Sequence, residues 1–425
     1  SMLVFAALFA VAAEEEKPAK YVFYFIGDGM GFEHLQMARD TTFRSAGTAM
    51  LDALPVRGAA RTNNAEDQLT DSAAAGTALA CAVKTQNGMI GVDPDGNKLD
   101  SIAKLAKIQG RRVAVITSDA LNGATPAAFY AHSPSRKNTD EIARCLPISS
   151  VDFFGGGHFV ATDETRASVE KALADVGYTV MRDPADLHQA AYEDLPLAAT
   201  HKWNYFEINR PADSKLPTLA DYTTKAAELL GDHPAGFLIV VEAAKIDWAS
   251  HTNDAPAAIG EIRELNRAVG KALAFYYDHP DDTIIVVTAD HNTGNPQLAG
   301  PISEELINDR KGSAFYAAEL RKNQAYMADP EKMLELLKDA TPEELTAGKD
   351  LIAKNGPKLP EEFAALLQSQ RDKRFGVTWG TKSHAPTPVP VLAIGRGTEV
   401  FEGEYENTEI PRKLFKLMGL IDPTE

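Results

Sequence analysis

A chain of 425 residues with 44% hydrophobic and 24% charged residues has a globular composition, which excludes a disordered or fibrous protein. The 60 Asp and Glu outnumber the 43 Lys and Arg, and the formal charge of −17 argues against nucleic acid or an anionic membrane as partner. Two cysteines, Cys81 and Cys145, exclude a disulfide-rich scaffold and a cysteine-based zinc site. Each sits in a helix-like run, which favours two separate buried thiols over a bond between them.

In chain order, Met2 to Ala13 is an apolar run of twelve followed by Glu14, Glu15 and Glu16. It is too short to span a bilayer, so no transmembrane anchor is expected. It reads as the apolar region of a secretory signal with a small-residue cleavage site near Ala10-Val11-Ala12, a buried N-terminal helix being the alternative. Residues 1–19 are therefore set apart as a signal-peptide remnant, and a periplasmic or secreted location is expected.

Tyr21 to Ile26 is an apolar strand that ends in Gly27-Asp28-Gly29-Met30-Gly31. Leu69-Thr70-Asp71-Ser72 leads into an alanine-rich run, which predicts a helix with Ser72 near its N-terminus. A helix is expected over Leu99 to Ile108, then a strand from Arg112 to Thr117 ending in Ser118-Asp119. Gly123-Ala124-Thr125-Pro126 and Ser135-Arg136-Lys137 are further candidate motifs. A helix over Leu219 to Leu230 precedes a strand from Phe237 to Val241 that ends in Glu242. A helix over Ala257 to Tyr277 precedes a strand from Thr283 to Thr288 that ends in Ala289-Asp290-His291. Ile302 to Arg374 is helical and charged, punctuated by Pro330, Pro342, Pro357 and Pro360, and Val389 to Ile394 is a late strand.

These strands lack polar alternation, which suits burial on both faces. Alternation with helices predicts an α/β fold, a three-layer α/β/α sandwich around a large, mostly parallel sheet. In such sheets ligands gather beyond the carboxyl ends of the strands, where Asp28, Asp119, Glu242, Asp290 and His291 fall. Residues 20–301 and 375–425 are expected to form the main α/β domain. Residues 302–374 are expected to be a helical insertion, a lid or a subunit contact; a solvated excursion without a role reads equally well.

Several residues have metal-ligand character. Asp247 and His251 are four apart, which on a helix places both on one face. Asp290 and His291 adjoin at a strand end, His384 lies in Thr381-Lys382-Ser383-His384, and Asp28 stands between glycines that allow close approach. Singly, each also reads as a surface pair, a turn residue or a helix cap. Ser72 near a helix N-terminus suits a developing anion, and Arg136 suits two phosphate oxygens, although a plain cap and a surface arginine fit the same positions.

Taken together and in order, from Tyr21 to about Gly395, these motifs resemble the alkaline phosphatases, metal-dependent phosphomonoesterases. Gly27-Asp28-Gly29-Met30-Gly31, Thr70-Asp71-Ser72-Ala73, Val241-Glu242 through His251, and Thr288-Ala289-Asp290-His291 each match a family motif. The resemblance implies two zinc ions and one magnesium ion. Asp247, His251 and His384 match the ligands of one zinc, Asp28, Asp290 and His291 those of the second, and Asp28, Thr125 and Glu242 those of magnesium. Ser72 matches the nucleophile and Arg136 the arginine that binds phosphate. The residue types fit, since histidine with carboxylate suits zinc and an all-oxygen set suits magnesium.

The resemblance further implies hydrolysis of phosphate monoesters to alcohol and inorganic phosphate in two in-line steps through a phosphoserine on Ser72. The second zinc would lower the Ser72 pKa, the first would hold the leaving oxygen and then a hydroxide, and a water at the magnesium site would take the serine proton. A homodimer is implied as well. A phosphodiesterase or phosphonate hydrolase of the same superfamily is the alternative, but Glu242, Thr125 and Arg136 favour monoesters. A formylglycine sulfatase needs Cys/Ser-x-Pro-x-Arg, which Ser72-Ala73-Ala74 lacks, and a non-catalytic binding protein would show damaged ligand positions. Two positions depart from the family: Gly123, where many relatives carry Asp or His, and Trp248, where others carry Lys or His.

Overall fold

The computed structural model describes residues 17–41, 49–182, 184–303, 305–308, 313–322, 329–337, 340–354 and 359–424. The apolar run Met2 to Ala13 lies outside them. Fourteen strands are present among the described residues: β1 (Tyr21–Gly27), β2 (Val56–Arg61), β3 (Arg112–Ala120), β4 (Phe153–Gly157), β5 (Thr179–Met181), β6 (Leu197–His201), β7 (Phe237–Ala243), β8 (Thr283–Thr288), β9 (Asn292–Thr293), β10 (Pro296–Leu298), β11 (Val377–Trp379), β12 (His384–Ala385), β13 (Val389–Gly395) and β14 (Gly403–Glu406).

Ten of these form one sheet in the order β14-β2-β13-β8-β1-β7-β3-β4-β6-β5. β13 pairs antiparallel with both β8 and β2, and every other pairing in the sheet is parallel. The mostly parallel sheet expected from the sequence is thus present, with one reversed strand. β1, β7 and β8 are buried along their whole length, as their unbroken aromatic and β-branched runs require. Each fully buried side chain of this kind contributes about 1.5–3 kcal/mol, so the core fixes where the strands end and where the loops beyond them begin.

Helices flank the sheet. The Leu219–Leu230 helix and the Ala255–Asp278 helix bury Leu219, Tyr222, Leu230, Ile262, Leu265 and Val269 in the same core as β1 and β7. The helix expected from Leu99 starts at Ile102 instead, because the Ser101 hydroxyl accepts from Lys104 N and caps it there. β3 runs on to Ala120, past the expected Thr117, with a break in its register against β4. Both cysteines are free thiols; Cys81 is buried as expected, but Cys145 is only partly so.

Between Ile302 and Arg374 the described residues are helical: Glu305–Asn308, Ser313–Lys322, Pro330–Glu335, Pro342–Lys354 and Leu359–Arg374. Leu320, Met333, Leu337, Leu359 and Phe363 form an apolar cluster separate from the main core. The last of these helices docks on the body: buried Arg371 pairs with Asp254 at 3.2 Å and Asp372 at 2.7 Å, and Gln368 Nε2 donates to the carbonyls of Thr252 and Asn253 at 2.7 Å. No described helix is long and apolar enough to cross a membrane.

Candidate metal centre and nucleophile

β1, β7 and β8 end side by side, with Gly27 opposite Ala243 and Ile26 opposite Thr288. Asp28, Glu242 and Asp290 therefore leave neighbouring strands at one edge. The chain turns sharply at Gly29, whose φ is +77°; a Cβ there would stand 2.8 Å from Asp247 Cα, so only glycine fits. Gly29 N and His291 N both donate to Asp290 Oδ1, at 3.1 and 2.9 Å. The Lys245–His251 helix follows β7 and carries Asp247 and His251 one turn apart. β12 pairs antiparallel with β9 so that His384 lies opposite Thr293, which brings it against His291 with ring centroids 3.6 Å apart.

Two groups of donors result. In one, Asp247, His251 and His384 hold their donor atoms within 4.8 Å of one another; in the other, Asp28, Asp290 and His291 do the same. The histidines are oriented from behind. His251 Nδ1 donates to the Lys382 carbonyl at 2.6 Å and His384 Nδ1 to the Thr70 carbonyl at 2.7 Å, so each turns a bare Nε2 toward Asp247. Thr293 Oγ1 donates to Asp247 Oδ1 at 2.5 Å and so accepts from His291 Nδ1 at 3.1 Å. This one hydroxyl couples the two groups and leaves His291 Nε2 as a lone pair facing Asp28 Oδ1 at 3.5 Å and Asp290 Oδ2 at 3.2 Å.

Such a convergence of acceptors calls for a cation. Asp28 Oδ1, Asp290 Oδ2 and Thr125 Oγ1 are buried without a hydrogen-bond partner. Burial, together with Asp290, Asp247 and Glu242, pushes the Asp28 carboxyl well up. Burial raises Asp290 to about 6 and Glu242 to about 8, Asp119 and Asp290 adding to the rise at Glu242. Burial, reinforced by His384, lowers His291 to about 3, which keeps its ring neutral and able to bind metal. The site is costly as bare charge and divalent ions would relieve it, so its residues fit the metals that the resemblance implies.

Ser72 stands at the first position of the Ser72–Cys81 helix, and Asp71, not Ser72, is the cap: Asp71 Oδ1 accepts from Ala74 N at 3.0 Å. Ser72 Oγ lies 3.1 Å from His291 Nε2. The helix N-terminus favours negative charge there by about 0.3–1 kcal/mol. Asp71 also pairs with Arg136 Nη1 at 3.2 Å, which ties the half-exposed guanidinium to the N-terminus of the Ser72 helix. Glu242 lies on β7 and accepts a hydrogen bond from Thr117 on β3, and Thr125 is in the short helix Ala124–Ala127.

In the sequence Asp71 reads only as a possible helix cap, and Thr117 and Thr293 were not singled out. Asp71 precedes the serine, and Thr293 is two residues beyond His291, so proximity to a motif was the one available signal. Trp248 is 43% exposed beside Asp247. Behind it Lys245 is buried, its Nζ donating to the carbonyls of Trp203 and Tyr205 at 3.0 Å.

A mostly parallel α/β sheet that ends in two carboxylate–histidine groups flanking a serine defines a metal-dependent hydrolase. The comparisons make it specific: the profile of the family described as alkaline phosphatase matches residues 19–420. The chain belongs to the alkaline phosphatase family and is a phosphoric monoester hydrolase. It is 29% identical over 430 residues to alkaline phosphatase 4 of Bacillus subtilis, covering 95% of this chain and 90% of that one. It superimposes on the cold-active alkaline phosphatase of a psychrophilic Shewanella with a TM-score of 0.77, at 28% identity, over 94% of this chain and 99% of the other. A variant of the TAB5 alkaline phosphatase, solved with Mg bound in its M3 site, gives a TM-score of 0.71 at 25% identity, over 96% and 100% of the two chains.

Proposed function

We propose that the chain cleaves phosphate monoesters through a phosphoserine on Ser72, with zinc held by Asp247, His251 and His384, a second zinc by Asp28, Asp290 and His291, and magnesium by Asp28, Thr125 and Glu242. The observation that carries this is the 3.1 Å contact of Ser72 Oγ with His291 Nε2, which sets a serine oxygen against one donor group while Thr293 ties that group to the other. Bound there, the ions would supply Lewis-acid charge to the oxygens that gain negative charge during phosphoryl transfer.

The protein's own groups then do the following. Arg136, steadied by Asp71, takes two nonbridging oxygens of the phosphoryl group in its planar fork. Ser72 Oγ forms a bond to phosphorus as the ester P–O bond breaks; the serine gives up its proton and the leaving oxygen gains one. Water next attacks the phosphoserine, the Ser72 oxygen leaves, and serine and inorganic phosphate are regenerated. The helix N-terminus favours the serine oxygen while it is anionic.

The magnesium assignment is supported by the oxygen-only donors and the unpartnered Thr125 hydroxyl, and by the Mg named in the M3 site of the TAB5 variant. The apolar run at Met2 to Ala13 supports a secreted or periplasmic location, and residues 302–374 are read as a helical insertion, a lid over the site or a contact with a second subunit of a homodimer. Light scattering of the purified protein tests the dimer.

The main test is hydrolysis of p-nitrophenyl phosphate by chelator-stripped protein given zinc, magnesium or both, beside Ser72→Ala. Turnover that requires zinc, rises with magnesium and disappears in Ser72→Ala with the metal content intact is the expected result. A fully metallated protein that prefers bis-p-nitrophenyl phosphate would move the reading to a phosphodiesterase.

A further inference from the structure

We propose that Asp119 is the positioning residue of the Asp28–Thr125–Glu242 cation site, its carboxylate occupying the space that Gly123 leaves open. This rests on the reading of that trio as a magnesium site. Magnesium seeks six oxygen ligands and keeps several waters when a protein offers it few. Three protein donors therefore leave waters whose hydrogens need an acceptor close by.

The backbone brings Asp119 to that place. β3 and β4 stay in register to Thr117 opposite Gly156, and pairing resumes only at Ala120 opposite Gly157. Ser118 and Asp119 form a bulge, the device by which a strand re-aims side chains beside a site. Both hydroxyls around the bulge brace the strand that carries Glu242. Thr117 Oγ1 donates to Glu242 and accepts from Asp119 N, the latter at 3.0 Å, and Ser118 Oγ accepts from Ala244 N at 2.9 Å. On its other side Asp119 Oδ2 approaches Gly123, where a Cβ would stand 3.2 Å from it and 3.0 Å from the Ala120 carbonyl. Gly123 leads directly into the helix that carries Thr125, a residue only 1% exposed whose hydroxyl has no hydrogen-bond partner.

Asp119, near the end of β3, thus lies between the neighbouring strand that carries Glu242 and the loop that leads into the Thr125 helix, and no lysine or arginine among the described residues pairs with it within 4 Å. A side chain at position 123 and the Asp119 carboxylate would compete for one volume, so the glycine and the aspartate belong together. Outer partners of this kind typically govern metal affinity by 10–100-fold.

Zinc-loaded wild type, Asp119→Asn, Asp119→Ala, Gly123→Asp and the double variant Asp119→Ala/Gly123→Asp are to be titrated with magnesium by calorimetry, with magnesium content read after dialysis and p-nitrophenyl phosphate turnover in parallel. The expected result is a magnesium Kd raised about 10–100-fold in both Asp119 variants, unchanged zinc content, and turnover that returns toward wild type at saturating magnesium. Gly123→Asp alone should also bind magnesium more weakly, since its Cβ crowds Asp119, whereas the double variant should recover affinity relative to Asp119→Ala. Magnesium binding by Asp119→Asn and Asp119→Ala equal to that of wild type would overturn the role of Asp119 while leaving the site itself standing. A wild type that takes up no magnesium would overturn the third site and this inference with it.

Discussion

Ser72 Oγ and His291 Nε2 stand 3.1 Å apart although one opens a helix and the other follows a strand. The contact depends on Thr293, because donation from Thr293 to Asp247 fixes which His291 nitrogen carries the proton. Had Nδ1 been the bare nitrogen, the ring would present an N–H to two carboxylates and to the serine, and neither a metal nor a nucleophile would be served.

Thr293→Val keeps the shape of the threonine and removes the hydroxyl that joins both donor groups. It should lower zinc affinity about 10–100-fold, the usual effect of removing a partner behind a ligand. Because Thr293 touches His291 and Asp247, competition with a chelator should show both zincs released more easily. Loss of one zinc alone would mean that the groups are held independently.

Arg136 is held by Asp71, the residue that also caps the Ser72 helix. Arg136→Ala should reduce kcat/KM for an aryl phosphate by about 10²–10³, the typical effect of removing one donor to a developing oxyanion. Asp71→Asn keeps a cap oxygen and removes the charge partner. It should therefore lower kcat/KM by a smaller factor than Arg136→Ala, with little change in melting temperature. A large drop in melting temperature with unchanged kinetics would show that capping is the sole role of Asp71.

The metal-free protein should lose stability as pH rises. Asp290 is raised to about 6 and Glu242 to about 8 by burial, against about 3.9 and 4.3 in an unfolded chain. The folded state therefore binds more protons than the unfolded one in this window. Its stability contribution is full below about pH 4 and is lost as pH rises through 6 and then 8. Buried Glu261 and Asp372, raised to about 8 and about 6, act with the same sign but are not expected to bind metal. Buried His34, His201 and His291, each lowered to about 3, act with the opposite sign below about pH 6.5, so melting temperatures of chelated protein should fall between about pH 6.5 and 8, and added zinc and magnesium should raise them most at the alkaline end, where ligands are deprotonated. A metal effect independent of pH would contradict this.

The legible parts of the fold were its longest and most uniformly buried strands. β1, β7 and β8 have continuous apolar runs and were read nearly to the residue. β4 is Phe-Phe-Gly-Gly-Gly, and its glycines follow from a tertiary cause: a Cβ on Gly155 would stand 2.7 Å from Tyr222. β2 carries Arg57 and Arg61 and lies near the sheet edge, and β5 and β14 are only three and four residues long. Spacing and strand ends showed that acids and histidines gather at one sheet edge, and the resemblance alone sorted them into trios. The groups behind them, Thr293, the pairing of Asp71 with Arg136 and the β3 bulge, were not legible, because they depend on which backbone passes by rather than on local sequence.

Trp248 bears on product release. It is exposed next to Asp247 and uncharged, and Lys245 behind it is held inward by the carbonyls of Trp203 and Tyr205. Lys245 Nζ lies 5.9 Å from the Trp248 ring centroid, on the buried side, where burial lowers its pKa to about 8. Trp248→Lys would add a solvent-facing charge at the mouth of the site. Two unit charges about 4 Å apart attract by about 1 kcal/mol even in bulk water, so inorganic phosphate should inhibit Trp248→Lys at least about fivefold more strongly than wild type. Where phosphate release limits turnover, kcat should fall in the same variant. Tighter phosphate binding by wild type than by Trp248→Lys would show that the indole, not the missing charge, sets the affinity.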